Sequence, residues 1–426
     1  MRRVGPVSPA AVVGPAPGSG VGPAPLATTA SPVKRVLQLH TRYRQAGGED
    51  QAVAAERALL EAAGIEVRQV LFDNADLQES RSALGDLGLA LSAVWSRAAA
   101  RRVGEELASF RPQVMHVHNT FAAASPSVYS PAIRLGVPVV QSLHNYRMAC
   151  PVATAYRDGH ACTDCVGMPI PLPAVIHGCV RGSRAQSAVS VATLTAHRAL
   201  GTYRRGIDRY LVGTAFQRDL MVRGGLPAGR MQVVPNFLEP DPGAGGDARD
   251  GVLYVGRLAE EKGIATLLDA AARLPGRFTV IGDGPMAPQV SAAAAAGHLA
   301  YLGPLWADPM RERLRSAAAL VMSSIWFEGF PMIMLEAFAA GTPIIASRIG
   351  TLPDIVEDGV TGLLVPPGDA AALAGAAEWV LGHPDEARAI GRRARTLYEE
   401  RLRGPVHLAQ LLDAYGAAIA RRARVG

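Results

Sequence analysis

Short apolar runs alternate with helix-patterned segments along almost the whole chain, in two successive series. Val36-Leu37-Gln38-Leu39-His40 reads as a first strand, a Gly-rich turn follows at Gly47-Gly48, and a helix runs from about Asp50 to Ala63. Gly64 stops that helix, and Ile65 to Phe72 forms the next strand. Further strands are expected at 113–118, 138–143 and 209–213, and a second series at 251–256, 277–282, 299–303, 318–324, 342–347 and 362–365. Strands alternating with helices throughout imply parallel sheets flanked by helices. The expected fold class is α/β, as two Rossmann-like domains facing a central cleft.

At 426 residues the chain is long for one core and suits two domains. The segment Pro235-Asn236-Phe237-Leu238-Glu239-Pro240-Asp241-Pro242-Gly243 has the Pro and Gly density of a linker. The expected division is a Pro/Ala/Gly-rich disordered tail at 1–32, a first domain at 33–211 with a Cys-rich insertion at 146–182, a second domain at 212–385, and helices at 386–426. The tail carries Arg2 and Arg3 but no compact apolar stretch of the signal-peptide kind, so the expected compartment is the cytoplasm. No apolar run is long enough to span a bilayer. Charge divides unevenly: residues 33–210 hold 20 basic and 14 acidic groups, and residues 211–426 hold 21 and 23. The basic half favours an anionic partner or an anionic membrane surface. Nucleic acid is not expected, because aromatic content is 5% and no recognition motif is legible.

Two glutamates eight positions apart, Glu328 and Glu336, stand in Trp326-Phe327-Glu328-Gly329-Phe330-Pro331-Met332-Ile333-Met334-Leu335-Glu336. The buried run before them predicts a strand, and Pro331 suits the first position of a helix. Glu328 then lies in the strand-to-helix loop, and Glu336 in the second turn, leaning back toward it. A helix N-terminus attracts an anion such as phosphate, whereas two carboxylates suit hydroxyl groups. A nucleotide sugar offers both. Acidic residues near a helix start also arise simply because they complement its dipole. Gly329 permits close backbone approach to a ligand.

This segment resembles the E-x7-E element of retaining glycosyltransferases of family 4, which have the two-domain GT-B fold. Tyr254-Val255-Gly256-Arg257-Leu258-Ala259-Glu260-Glu261-Lys262-Gly263 is similar to the same family's G-R-L-x-x-E-K-G. The resemblance covers roughly residues 33 to 400. It implies that Arg257 and Lys262 bind the donor diphosphate, that Glu336 holds ribose hydroxyls and Glu328 sugar hydroxyls, and that Gly329 and Phe330 border the donor. It also implies that the first domain receives the acceptor and that the terminal helix crosses back to that domain. Composition agrees on Lys262: among 43 basic residues only Lys34 and Lys262 are lysines, so a lysine beside a Gly-rich turn hints at a need for a compact ammonium. The glycine pair Gly47-Gly48 offers N–H groups to a phosphate or acceptor hydroxyl, or merely turns the chain. Gly282, in Ile281-Gly282-Asp283-Gly284-Pro285, lacks the acidic partner of a dinucleotide fingerprint and is similar to the family's loop near the base.

Ser142-Leu143-His144-Asn145 resembles the family segment whose histidine contacts the donor sugar near the reacting carbon; otherwise His144 caps its strand. His118 is expected to be structural. No Ser/His/Asp or Cys/His nucleophile arrangement is legible. All four cysteines, Cys150, Cys162, Cys165 and Cys179, fall in one insertion spaced C-x11-C-x2-C-x13-C. Its C-x2-C core suits a structural zinc, and disulfide or redox pairing and unlinked thiols remain alternatives.

Together these readings lead to transfer of a sugar from a nucleoside diphosphate (UDP- or GDP-) sugar, with retention, to a glycan, lipid-linked or small acceptor in cell-surface polysaccharide or glycolipid synthesis. The protein would work at the inner face of the membrane and need no catalytic cofactor. Two rivals stand beside it: a non-catalytic nucleotide-sugar-binding protein, and a phosphorylase or epimerase on the same fold. A phosphorylase would need Lys34 or Lys262 for pyridoxal phosphate.

Overall fold

The computed structural model describes residues 33–43, 47–76 and 83–425. Residues 1–32, read above as a tail, lie outside them. Six strands build the first sheet: β1 (Arg35–Arg42), β2 (Glu66–Asp73), β3 (Val114–Val117), β4 (Val139–Leu143), and, after a small hairpin of β5 (Tyr156–Arg157) and β6 (His160–Ala161), β7 (Arg209–Val212) and β8 (Met231–Val233). Their order is β2-β1-β3-β4-β7-β8, and every pairing is parallel. The second sheet comprises β9 (Val252–Val255), β10 (Phe278–Ile281), β11 (Leu299–Tyr301), β12 (Ala319–Met322), β13 (Ile344–Ser347) and β14 (Gly362–Val365), in the order β11-β10-β9-β12-β13-β14, again all parallel.

Strand composition explains this layering. Val-Met-His-Val, Ala-Leu-Val-Met and Ile-Ile-Ala-Ser are buried along their whole length, as sheets covered on both faces require. Each sheet therefore separates two apolar cores. One face of the first sheet packs Leu37, Met115, Tyr129 and Tyr210. Its other face packs Val36, Val114, Val140 and Leu211 against Leu411, Ala414, Tyr415 and Ala418 of the terminal helix Gly404–Val425.

The expected boundary at 212 falls inside the first sheet. Strand β8 pairs with β7 through Tyr210–Met231, Leu211–Gln232 and Val212–Val233, so the crossing to the second domain follows Val233. Met231-Gln232-Val233 is a three-residue strand after a Pro-Ala-Gly turn, too short to carry a periodic signal. The chain crosses back near Leu402, where Leu238 N–H bonds Leu402 O at 3.0 Å. Arg395 clamps Asp241 through both carboxylate oxygens at 2.8 and 2.5 Å, fixing the outgoing segment to the helix Pro384–Arg401.

Strand order reverses between β1 and β3 in one sheet, and between β9 and β12 in the other. Such switch points open a crevice at the carboxyl ends of the strands. Both crevices face one cleft of about 790 Å³, lined by both domains.

Candidate active site

On the second-domain side, β12 ends at Met322 and the chain reaches the helix Met332–Ala340 through the Trp326–Pro331 loop. Pro331 is the N-cap rather than the first helical residue, with φ −66° and ψ 123°. The extended ψ places it one step before the helix, and the first turn at Met332 and Ile333 lines the cleft. Glu336 lies in the second turn as expected, with its carboxylate 3.5 Å from Arg311 Nε. Burial pushes the Glu336 carboxyl up from its ordinary value, against the lowering influence of Arg311.

Glu328 is buried and fully partnered. Both oxygens accept from Lys262 Nζ at 2.9 Å, and Ser324 Oγ donates to Oε1 at 2.5 Å. Burial alone would raise this carboxyl, but the Lys262 ammonium and the Ser324 hydroxyl outweigh it and hold the pKa below the ordinary value. Lys262 also lies 5.3 Å from the centroid of the Trp326 ring. The local sequence dictates this closeness. Gly263 adopts φ +69°, and a Cβ there would stand 1.9 Å from Ser323 O, so only glycine lets the lysine turn press against the end of β12.

Arg257 follows β9, about half exposed, and is paired with Glu261. Among the described residues lining the cleft, Gly48, His144, Lys262, Glu328, Gly329, Phe330 and Glu336 are present; Arg257, Gly47 and Gly282 are not. Gly282 instead packs backbone on backbone, since a Cβ there would lie 1.9 Å from Gly256 O. Phe330 reaches across to the first domain, where it occupies the space a Cβ on Gly213 would need.

The first-domain wall comes from the ends of β1, β3 and β4. Gly47 caps the helix Gly48–Ala62 and donates its N–H to Asp50 Oδ2 at 3.0 Å. Gly48 faces the opposite helix start, with Met332 Cγ 3.5 Å from where its Cβ would be. The glycine pair thus turns the chain, and Gly48 also borders the cleft. His144 stacks on His118 with ring centroids 5.3 Å apart, and its Nε2 lies 3.0 Å from His118 Nδ1. Burial holds His144 well below the ordinary histidine range, so it is neutral at physiological pH. The His144 carbonyl meets Gly329 across the cleft, at 2.8 Å from a Cβ built there.

Behind His144 lies a network not anticipated from sequence. Glu56 Oε1 is 2.9 Å from His116 Nδ1 and 3.3 Å from His118 Nε2, while Oε2 is 3.6 Å from His407 Nε2 of the terminal helix. His116 also reaches Tyr415 Oη and Ser142 Oγ, each at 2.9 Å. His118 Nε2 lies 3.3 Å from both Glu56 Oε1 and Gln38 Nε2; with Glu56 as its acceptor, Nδ1 of a neutral His118 ring would accept from His144 Nε2–H. The sequence signal was available. Glu56 falls between Val53 and Leu60 on the buried stripe of its helix, and His118 follows His116 of β3 by two positions, just past the strand end. Glu49 was also missed. It lines the cleft, accepts from Tyr43 Oη at 3.1 Å, and burial raises its carboxyl to about 7.

Two family models account for most of the chain. A glycosyl transferase 4-like domain matches residues 47–236, and glycosyl transferases group 1 matches residues 249–383. The chain belongs to the GT-B glycosyltransferases of the family 4 type. Among curated members, a sulfoquinovosyl transferase of Arabidopsis thaliana is 26% identical over 320 residues, covering 70% of this chain and 56% of that protein. A D-rhamnosyltransferase of Pseudomonas aeruginosa is 33% identical over 153 residues, covering 35% and 40% respectively. The chain thus spans about half the length of the curated family members it matches. Among solved structures, sucrose-phosphate synthase from Thermosynechococcus elongatus superposes with a TM-score of 0.66 at 19% identity, covering 91% of this chain and 99% of that one. Anabaena HepE in complex with UDP gives 0.61 at 16% identity, covering 90% and 100%. These likenesses establish the shared fold. Among the described residues, no helix is long and apolar enough to cross a membrane.

Proposed function

We propose that the protein is a retaining glycosyltransferase that moves a sugar from a UDP- or GDP-sugar to a hydroxyl of a glycan, lipid-linked or small acceptor. The observation carrying this reading is the cleft floor, where Lys262 and Glu328 pair between the Met332–Ala340 helix start and His144 of the opposite domain. The donor diphosphate lies at that helix start, beside Lys262 and within reach of Arg257 at the end of β9. The sugar faces Glu328 and His144, and the ribose hydroxyls face Glu336. The names of the family members support sugar transfer, and HepE was solved with UDP and with UDP-glucose.

In the reaction, the bond from the anomeric carbon to the diphosphate oxygen breaks and its electron pair stays on the diphosphate. Lys262, Arg257 and the helix dipole meet that growing charge. The acceptor oxygen bonds the anomeric carbon from the same face, and its proton passes to the departing diphosphate. With two cations and a helix end at the leaving group, this reading asks for no catalytic metal. Neutral His144, bonded to His118, faces the sugar without adding charge.

The basic first domain and the exposed apolar side chains of Met168, Ile170, Leu172 and Ile176 in the insertion support an acceptor presented at an anionic membrane, on its inner face, in polysaccharide or glycolipid synthesis. A phosphorylase is disfavoured. Lys34 sits at the amino end of β1, away from the cleft, and Lys262 is committed to Glu328. The test is a panel of UDP- and GDP-sugars, read by thermal stabilisation and by release of free diphosphate. Stabilisation and diphosphate release with one donor are expected. No release from any donor that binds would instead identify a non-catalytic sugar-nucleotide binder.

A further inference from the structure

We propose that Cys150, Cys162, Cys165 and Cys179 bind one zinc ion and that this ion staples the 146–182 insertion across the edge of the cleft. All four thiols are free, and all four line a single small cavity together with Tyr156 and Arg157. The chain's other 422 residues contain no cysteine, so the four are gathered in sequence and in space.

The start of the insertion is anchored in the first-domain core through Tyr146, Met148, Ala149, Cys150 and Ala155, but the rest carries little regular structure. Its regular structure is the two-residue strands β5 and β6 and the four-residue helix Pro173–Ile176. Farther along, Cys165 and Ala174 pack on Val191 of the helix Arg184–Ala199, flanked by Val175 and Cys179. Ala153, Ala155, Asp158 and Arg181 all adopt positive φ, between 48° and 73°. Non-glycine residues in such sparsely populated regions are strained and persist only where the surroundings impose them. The packing of Cys165 and Ala174 alone imposes little on the outer part of the insertion. Four metal bonds would impose much more.

The chemistry fits a soft divalent ion. Val166 N–H bonds Thr163 O at 2.9 Å, folding the C-x2-C step into the turn that brings two thiolates to one metal. Bound as four thiolates, one Zn²⁺ would leave a site of net charge −2 beside the Arg157 guanidinium. Tetrahedral Zn–S bonds of about 2.3 Å bring the sulfurs to about 3.8 Å from one another. Among the described residues no three of these sulfurs lie within 4.8 Å of one another, so loading would draw them together. Among the described residues, the cluster whose ligand atoms already lie within 4.8 Å is Glu56, His116 and His118. Those atoms are taken up in hydrogen bonds with one another, Tyr415 and Ser142.

The staple has a mechanical purpose. Cys150 N–H bonds Tyr146 O at 2.7 Å, and Tyr146 Oη donates to Glu328 O at 2.6 Å. The β5–β6 hairpin meets the second domain as well, with Glu260 Oε1 3.5 Å from a Cβ built on Gly159. Zinc would therefore hold the first-domain strap that touches both the Glu260–Lys262 turn and the Glu328 loop.

The test uses full-length protein prepared under reducing conditions without a metal-affinity tag. About one zinc per chain is expected by elemental analysis. The four thiols should react at least about tenfold more slowly before chelation than after it, and proteolysis within 150–182 should accelerate similarly on chelation. Cobalt exchanged into the unmodified chain should show intense sulfur-to-cobalt charge-transfer absorption, a readout that needs no variant to fold. Zinc below about 0.2 equivalents with freely reacting thiols overturns the proposal, as does recovery of disulfides after alkylation. One equivalent of zinc that survives Cys162→Ser/Cys165→Ser would place the metal elsewhere, and also overturns it. None of these measurements depends on glycosyl transfer.

Discussion

Replacing Lys262 by Met tests the cleft floor most directly, because it separates what the lysine does for the fold from what it does for a ligand. Glu328 is 4% exposed and receives both Lys262 contacts at 2.9 Å. Removing the ammonium strands a buried carboxylate that keeps only the Ser324 hydroxyl as a side-chain partner within hydrogen-bonding range. Breaking a buried pair in this way costs about 3–5 kcal/mol, because the remaining charge is desolvated without compensation. For a domain of this size that corresponds to a fall in Tm of roughly 10 °C. The pH dependence gives the sign. In the native pair Glu328 has a depressed pKa, so it contributes stability above the unfolded value near 4.5, and that contribution is lost as pH falls through the folded value. In Lys262→Met the carboxyl is raised instead, so the deficit should be large at pH 7 and small at pH 4. Adding Glu328→Gln to Lys262→Met should recover most of the lost Tm at pH 7, yet leave affinity for free nucleoside diphosphate weakened and turnover down by roughly 10²-fold or more. Differential scanning calorimetry at several pH values and titration calorimetry with diphosphate make the comparison. Arg257→Ala serves as a control, since this exposed side chain should affect diphosphate binding and not Tm. The reasoning is refuted if Lys262→Met melts within 2 °C of the parent at pH 7, or if the double variant binds diphosphate normally.

Three further outcomes are expected. Glu336→Gln should weaken donor binding more than it slows turnover of bound donor, as steady-state kinetics across a donor titration would show; a collapse of kcat at unchanged affinity would mean that the two glutamate roles are reversed. Glu49, raised to about 7 by burial, binds a proton in the native state that the unfolded chain has released, so stability should fall by about 3 kcal/mol as pH rises from 4.5 to 7; Glu49→Gln should therefore stabilise the protein above pH 7 and leave it unchanged below pH 4, measured by urea unfolding. Gly263→Ala should lower stability by about 2–3 kcal/mol, since its φ of +69° and the Ser323 carbonyl both oppose a Cβ, and it should impair diphosphate binding by displacing Lys262.

Both sheets could be read from the sequence because most of their strands are short, largely apolar runs separated by helices long enough to show a period. Strand β8 escaped that reading because three residues carry no period, and so the first domain extends past the expected boundary. The Glu328 and Glu336 placements on loop and helix followed from local chemistry. Their partners did not. Lys262 is 66 residues from Glu328, and nothing local indicates that a Gly-rich turn after β9 folds onto the end of β12. Likewise, a lone Glu56 in a helix stripe shows only that a buried charge needs a partner. The partners arrive from β3 and, 351 residues later, from His407 of a helix that has crossed between domains. Long-range pairing of this kind is a property of the packed layers and is invisible to any window of sequence.

The two chain crossings between the domains lie side by side, since Leu238 N–H bonds Leu402 O at 3.0 Å and Tyr398 Oη donates to Leu238 O at 3.1 Å. A single covalent link would leave the second domain free to rotate about three axes. Two neighbouring links remove most of that freedom, leaving chiefly a swing about the line through Leu238 and Leu402. Movement on such an axis changes the separation of the cleft walls while conserving their register. Lys262 and Glu328 would travel together, and His144 would meet the same Gly329 on every return.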